Sequence, residues 1–193
     1  MTRKFPPIDM QPKHQKHLYT RPTWPLWECI AEFIKTQGSR KILDVGSGFG
    51  CPLMLNKFLV DYDYEYFGFD CSKEIIDYAN TLYKSPNITF CHADWNQIDI
   101  QEEFDCMLLL GVLPYHESGW DLFKFLTNKF PTKQVIIRET TGLVEWNEIK
   151  LVDLTNFEKI ATEHRIVDVG DAYTRIEEKV LGKKVLYNVI TSK

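Results

Sequence analysis

Apolar residues along this chain follow two rhythms that alternate. Short runs rich in β-branched and aromatic residues predict seven strands: "KILDVG" (41–46), "YEYFGFD" (64–70), "NITFCHAD" (87–94), "FDCMLLLGV" (104–112), "KQVIIRET" (133–140), "HRIVDVG" (164–170) and "KVLYNVI" (184–190). Between them, apolar residues three and four apart predict helices over 24–36, 52–59, 73–83, 119–128 and 153–162. Ser72, directly before "KEIIDYA", is a good N-cap, and Ile75, Ile76 and Ala79 give that helix an apolar face. Strands alternating with helices predict an α/β fold of βαβ units around a mostly parallel sheet. The closing stretch "RIVDVGDAYTRIEEKVLGKKVLYNVI" breaks the rhythm. Its two strand-like runs, with only a loop between them, predict a C-terminal antiparallel hairpin added to the sheet.

Composition narrows the class. A chain of 193 residues, 44% hydrophobic and 26% charged, can bury one continuous core. We read a single domain over 1–193, with an N-terminal tail and lid helix over 1–40 and the core over 41–193. A net charge of -4 and a pI near 5.8 do not supply the positive field that a phosphate backbone requires, so nucleic acid is not the expected partner. Five cysteines, odd in number and without a CxxC pair, signal neither a disulfide framework nor a metal site. "MTRKFPPIDMQPKHQKH" has cations but no apolar segment behind them, and "MLLLGVL" is far too short to cross a bilayer. The expectation is a soluble, cytoplasmic protein.

Candidate chemistry concentrates in "ILDVGSGFGCP", 42–52. A loop from a first strand into a helix turns backbone N–H groups toward a ligand, and glycines let the ligand approach closely. The dinucleotide fingerprint GxGxxG needs its third glycine at 51, where this chain has Cys51. The Walker loop fails because no Gly-Lys-Ser/Thr follows. What remains is Asp44 followed by Gly46, Gly48 and Gly50 in alternation. A fixed negative charge at the loop entrance repels a pyrophosphate and suits a ligand that carries an ammonium.

"LDVGSGFG" resembles the first motif of the class I S-adenosylmethionine (SAM)-dependent methyltransferases. Three further stretches carry the resemblance in the family's order: "YFGFDCS", "FCHADW" and "FDCMLLLGVLPY". It implies a Rossmann-like three-layer sandwich, here a seven-stranded mostly parallel sheet ending in the hairpin, with SAM as cofactor and S-adenosylhomocysteine (SAH) as product. It also implies site roles. Asp44 would meet the methionine ammonium, directly or through water, and Gly46, Gly48 and Gly50 would bring backbone to the cofactor. Asp70 would accept two hydrogen bonds from the ribose hydroxyls. Asp94 would receive the adenine amino group, although an Asp there also caps a turn before "WNQIDI". Cys71 and Trp95 would flank the adenine, with an ordinary core position as the rival reading of Trp95. Gly111 would lie near the reacting sulfonium.

In an open α/β sheet the acceptor belongs beyond the carboxyl ends of the strands, at the loops after the fourth and fifth. Those loops offer Tyr115, His116 and Glu139. His116 is the leading general base, since an imidazole near neutrality takes a hydroxyl or ammonium proton; Glu139 is the alternative base or a cation-binding group. Tyr19, Trp24 and Trp27 compose an aromatic cover before the first strand, which helix-to-sheet packing explains nearly as well. The expected acceptor is an O or N of a small molecule or glycan. Alternatives are an RNA or protein acceptor reached with a partner subunit, and a catalytically silent cofactor-binding scaffold. A dehydrogenase is disfavoured by the glycine spacing and Asp44.

Overall fold

A computed structural model of the protein describes residues 24–113, 119–141, 161–168, 173–180 and 183–191. Four helices lie within them: α1 (Trp24–Gln37), α2 (Cys51–Phe58), α3 (Lys73–Leu82) and α4 (Gly119–Lys129). Eight strands form one sheet: β1 (Lys41–Val45), β2 (Glu65–Asp70), β3 (Ile88–His92), β4 (Phe104–Leu110), β5 (Thr132–Thr141), β6 (Ala161–Asp168), β7 (Tyr173–Val180) and β8 (Lys183–Thr191). Their spatial order is β3-β2-β1-β4-β5-β8-β7-β6. β3, β2, β1, β4, β5 and β8 pair in parallel, whereas β7 runs antiparallel to both β8 and β6.

Two apolar layers sandwich the parallel strands. On one face Ile42, Tyr66, Phe90, Cys106, Leu108 and Ile136 pack with α1, α2 and α3. On the other, Leu43, Val45, Phe69, Met107, Leu109, Val135 and Ile137 pack with α4. The alternation of Leu108 with Leu109, and of Ile136 with Ile137, follows from the period of two. The segment between β3 and β4 forms no helix and lays Ala93, Trp95, Ile98 and Ile100 against the second layer. α3 starts as expected: Ser72 Oγ accepts the Ile75 N–H at 3.4 Å, and Ile75, Ile76 and Ala79 are buried. Each isoleucine side chain taken out of water there contributes roughly 1.5–3 kcal/mol. At the amino ends of the strands, Asp105 ties three of them together. Its Oδ2 accepts the N–H groups of Arg40 (2.9 Å) and Lys41 (3.0 Å), and its Oδ1 accepts Lys133 Nζ (2.7 Å).

Three expectations change. The sheet has eight strands, because "YTRIEEKV", read as a loop, is β7, and the antiparallel end is a three-stranded ribbon. Its apolar residues Tyr173, Ile176 and Val180 are spaced by three and four, so the pattern hides a strand that backbone pairing on both sides creates. The helix expected over 153–162 lies outside the described residues except for Ala161 and Thr162, which begin β6. Trp27 is 2% exposed within the first apolar layer, so it packs α1 onto the sheet, the second of the two readings open for it. Tyr19 lies outside the described residues. Among the described residues no helix is long and apolar enough to cross a membrane.

Candidate functional site

β1 delivers Asp44, and the chain then turns through Gly46 (φ 66°) and Gly48 (φ 56°). Positive φ strains any L side chain. Gly46 is also sterically closed: an added Cβ would lie 2.8 Å from Val112 Cγ2, in the loop after β4. The loops leaving β1 and β4 thus interlock where the strand order diverges, and that switch point is where open α/β sheets take ligands. Gly50 differs, because its φ of -114° suits any residue. It is the N-cap of α2, with no side-chain cap, and its carbonyl accepts the N–H groups of Leu53 and Met54.

Asp44 is 1% exposed. Its Oδ2 accepts the Tyr66 hydroxyl at 2.6 Å, while Oδ1 is buried with no hydrogen-bond partner. Burial lifts the carboxyl from 3.8 to about 7, against the lowering pull of the Tyr66 bond and the Cys51 thiol; the Asp70 charge adds to the rise. Burial and the nearby Asp44 charge in turn push the Cys51 thiol up. An orphaned buried acceptor costs roughly 1–3 kcal/mol, so Oδ1 is a place where a donor would stabilise the fold.

Asp70 ends β2, half-buried. Its Oδ2 accepts the Gly48 N–H at 3.2 Å and its Oδ1 the Ser72 N–H at 2.8 Å. The carboxylate therefore clasps the glycine loop to the head of α3, and each oxygen keeps acceptor capacity for a ligand. Burial raises its pKa, opposed by those two backbone bonds. Cys71 is half-buried, and its carbonyl oxygen lies 3.1 Å from His92 Nε2.

Asp94 is 8% exposed and forms the turn cap that its position allowed: Oδ1 accepts the Asn96 N–H at 2.9 Å, and its carbonyl accepts the N–H groups of Gln97 and Ile98. Trp95 is half-buried against the second apolar layer. Gly111 follows β4 with φ 79°, and no atom of the described residues lies within 4 Å of where a Cβ would stand. Tyr115 and His116 lie outside the described residues. The backbone of Glu139 pairs with Val189.

Tyr66 and Gly68 stand beside Asp44, and both escaped the sequence reading. Gly68 pairs in register with Asp44, and a Cβ there would meet Ser47 Cβ at 2.8 Å and the Tyr66 ring at 2.8 Å. Its missing side chain lets the loop and the tyrosine cross β2. The available signal was the spacing of Tyr66, Gly68 and Asp70, alternate residues that share one face of a strand.

Residues 42–128 match the family described as a methyltransferase domain. The plantazolicin methyltransferase BpumL in complex with SAH superposes with a TM-score of 0.57 at 18% identity, over 82% of this chain and 76% of that one. Magnesium protoporphyrin IX methyltransferase from Synechocystis PCC 6803 with bound SAM gives 0.55 at 15%, over 79% and 76%. The 16S rRNA methylase ArmA gives 0.54 at 19%, over 84% and 80%. Against BpumL with a triazolic desmethylPZN analog and SAH, the match spans 49% of that chain. No curated protein matches in sequence. The chain thus resembles a methyltransferase domain over residues 42–128 and shares the fold of these solved structures.

Proposed function

We propose that this protein transfers the methyl group of SAM to an oxygen or nitrogen of a small molecule or glycan. The observation that carries the reading is Asp44 Oδ1, an acceptor buried without a partner at the entrance of a glycine loop, which is what an ammonium group, directly or through one ordered water, would satisfy. Asp70 is suited to the ribose hydroxyls, because both of its oxygens are already aimed by backbone N–H groups and so need no reordering on binding. The bonds at Asp94 leave its adenine role resting on its place after β3, with Cys71 and Trp95 beside it. The space that the described residues leave at Gly111 suits the reacting centre.

SAM, when bound, supplies an electrophilic methyl carbon on a good leaving group. This chain's share is then to hold, align and desolvate, and to take a proton where the acceptor carries one. We assign that proton to His116, with Glu139 as the alternative, from the chemistry of the two side chains and their places after β4 and within β5. The acidic total charge favours a small acceptor over a nucleic acid. All five cysteines are free thiols, which suits a reducing, cytoplasmic setting.

Calorimetric titration with SAM, SAH and NAD separately tests the reading. Binding of the first two at micromolar concentration, without NAD, supports it; NAD binding in their place, or no binding of any, overturns it.

A further inference from the structure

We infer that Tyr66 is a positioning residue for the cofactor's amino acid end: its hydroxyl holds Asp44 by one oxygen and leaves the other to receive the ammonium. This rests on the function proposed above. Four observations carry it. The Tyr66 hydroxyl lies 2.6 Å from Asp44 Oδ2, and Oδ1 of the same carboxyl has no partner. Tyr66 is 2% exposed and fixed by ring contacts, with Phe90 at 5.4 Å between centroids. Register places Gly68 beside Asp44, and only a residue without Cβ leaves the tyrosine ring and the Ser47 turn where they are. The hydroxyl donates to an acceptor that also faces a second carboxylate and two thiols, so it is the one strong donor to Asp44 from the protein among the described groups.

The groups facing Asp44 are Tyr66 and Asp70 from β2, Cys51 from α2 and Cys106 from β4. The thiols are buried and pushed up in pKa, and Asp70 disfavours a second negative charge nearby. Tyr66 therefore works against desolvation to keep a carboxylate available near neutral pH. Removing the hydroxyl leaves Asp44 protonated to higher pH, where it cannot accept an ammonium as an ion. A hydrogen bond to a charged group is worth about a tenfold effect or more.

The test is the ratio of SAH affinities, wild type over Tyr66→Phe, at pH 6.5 and pH 9, with SAH as the probe because it carries the same amino acid end. Titration of the ligand's own amine affects both proteins equally and cancels. The expected ratio is about tenfold or more at pH 6.5, shrinking severalfold by pH 9 as Asp44 ionises in both. An equal ratio at the two pH values overturns the inference, since a packing defect weakens binding regardless of pH. Should Tyr66→Phe not fold, 2-fluorotyrosine placed at position 66 leaves the crowded Cε edge of the ring unsubstituted and makes the hydroxyl a modestly stronger donor. It should move the pH midpoint of SAH binding downward, and an unmoved midpoint overturns the inference. Wild type that binds no SAH at all overturns the proposed function itself, whereas failure in the ratio alone leaves that function standing.

Discussion

Asp44→Asn isolates the cost of burying a carboxylate for a ligand. Folding lifts this carboxyl from 3.8 to about 7, so the native state holds a proton that the unfolded chain releases. That contribution to stability is fully present below about pH 4, declines as pH rises toward 7, and is gone above it. The difference amounts to ~4 kcal/mol at pH 8.5. Asparagine cannot ionise. Its amide oxygen can still accept the Tyr66 hydroxyl, and its NH2 group takes the unpaired place of Oδ1. At pH 4.5 both proteins carry a neutral side chain with one unpaired group, and urea unfolding should give nearly equal free energies. At pH 8.5 the variant without ligand should be more stable by ~2–4 kcal/mol. Asp105 and every other titrating group cancel in the difference between the two curves. A difference that stays constant from pH 4.5 to 8.5 would refute the reasoning, because it would mean that Asp44 ionises as freely in the fold as in water. In saturating SAM the order at pH 8.5 should invert, since the wild-type carboxylate then has its partner.

Other perturbations separate the remaining roles. Asp70→Asn should weaken SAH binding by ~2–4 kcal/mol in calorimetry, because one charged acceptor becomes a donor; unchanged affinity in a folded variant would remove Asp70 from the site. Asp105 is held at about 2 because the Lys133 bond and the Lys41 and Arg40 N–H groups outweigh the effect of burial. Its stabilising contribution, ~2 kcal/mol, is present above about pH 4 and lost as pH falls toward 2. Asp105→Asn should therefore lower the urea midpoint at pH 6 and leave it unchanged near pH 2. Gly46→Ala and Gly111→Ala both place an L residue at positive φ, yet among the described residues only the first meets an atom within 3 Å. Unfolding should cost ~1 kcal/mol for Gly111→Ala and ~2–4 kcal/mol for Gly46→Ala; equal costs would mean that Val112 gives way.

The parallel half of the fold was legible because it is written in local signals. The four described helices begin and end within two residues of their expected bounds, and Ser72 caps α3 as its side chain suggests. The turn at Gly46 and Gly48 and the place of Asp70 at the end of β2 were legible for the same reason, since positive φ calls for glycine and a strand end for a residue that accepts backbone N–H groups. β7 was not, because its pairing partners lie on other strands and its own apolar spacing is irregular. Trp27 was ambiguous, as an aromatic on an amphipathic helix serves a core or a lid with the same letter. Tyr66 was hidden by a longer-range fact: its hydroxyl matters only once β1 and β2 stand in register and Gly68 clears the path.

β8 sits between β5 and β7, although it is the strand latest in the sequence. Until residues 183–191 are available, the edge of β5 has no neighbour on that side, and a ten-residue row of backbone donors and acceptors stands open. Such an edge is a template for pairing with another chain. An interior place in the sheet is therefore filled by the latest of the described strands, which makes the interval between synthesis of β5 and arrival of β8 the time at which a nascent chain is most exposed to strand exchange with its neighbours.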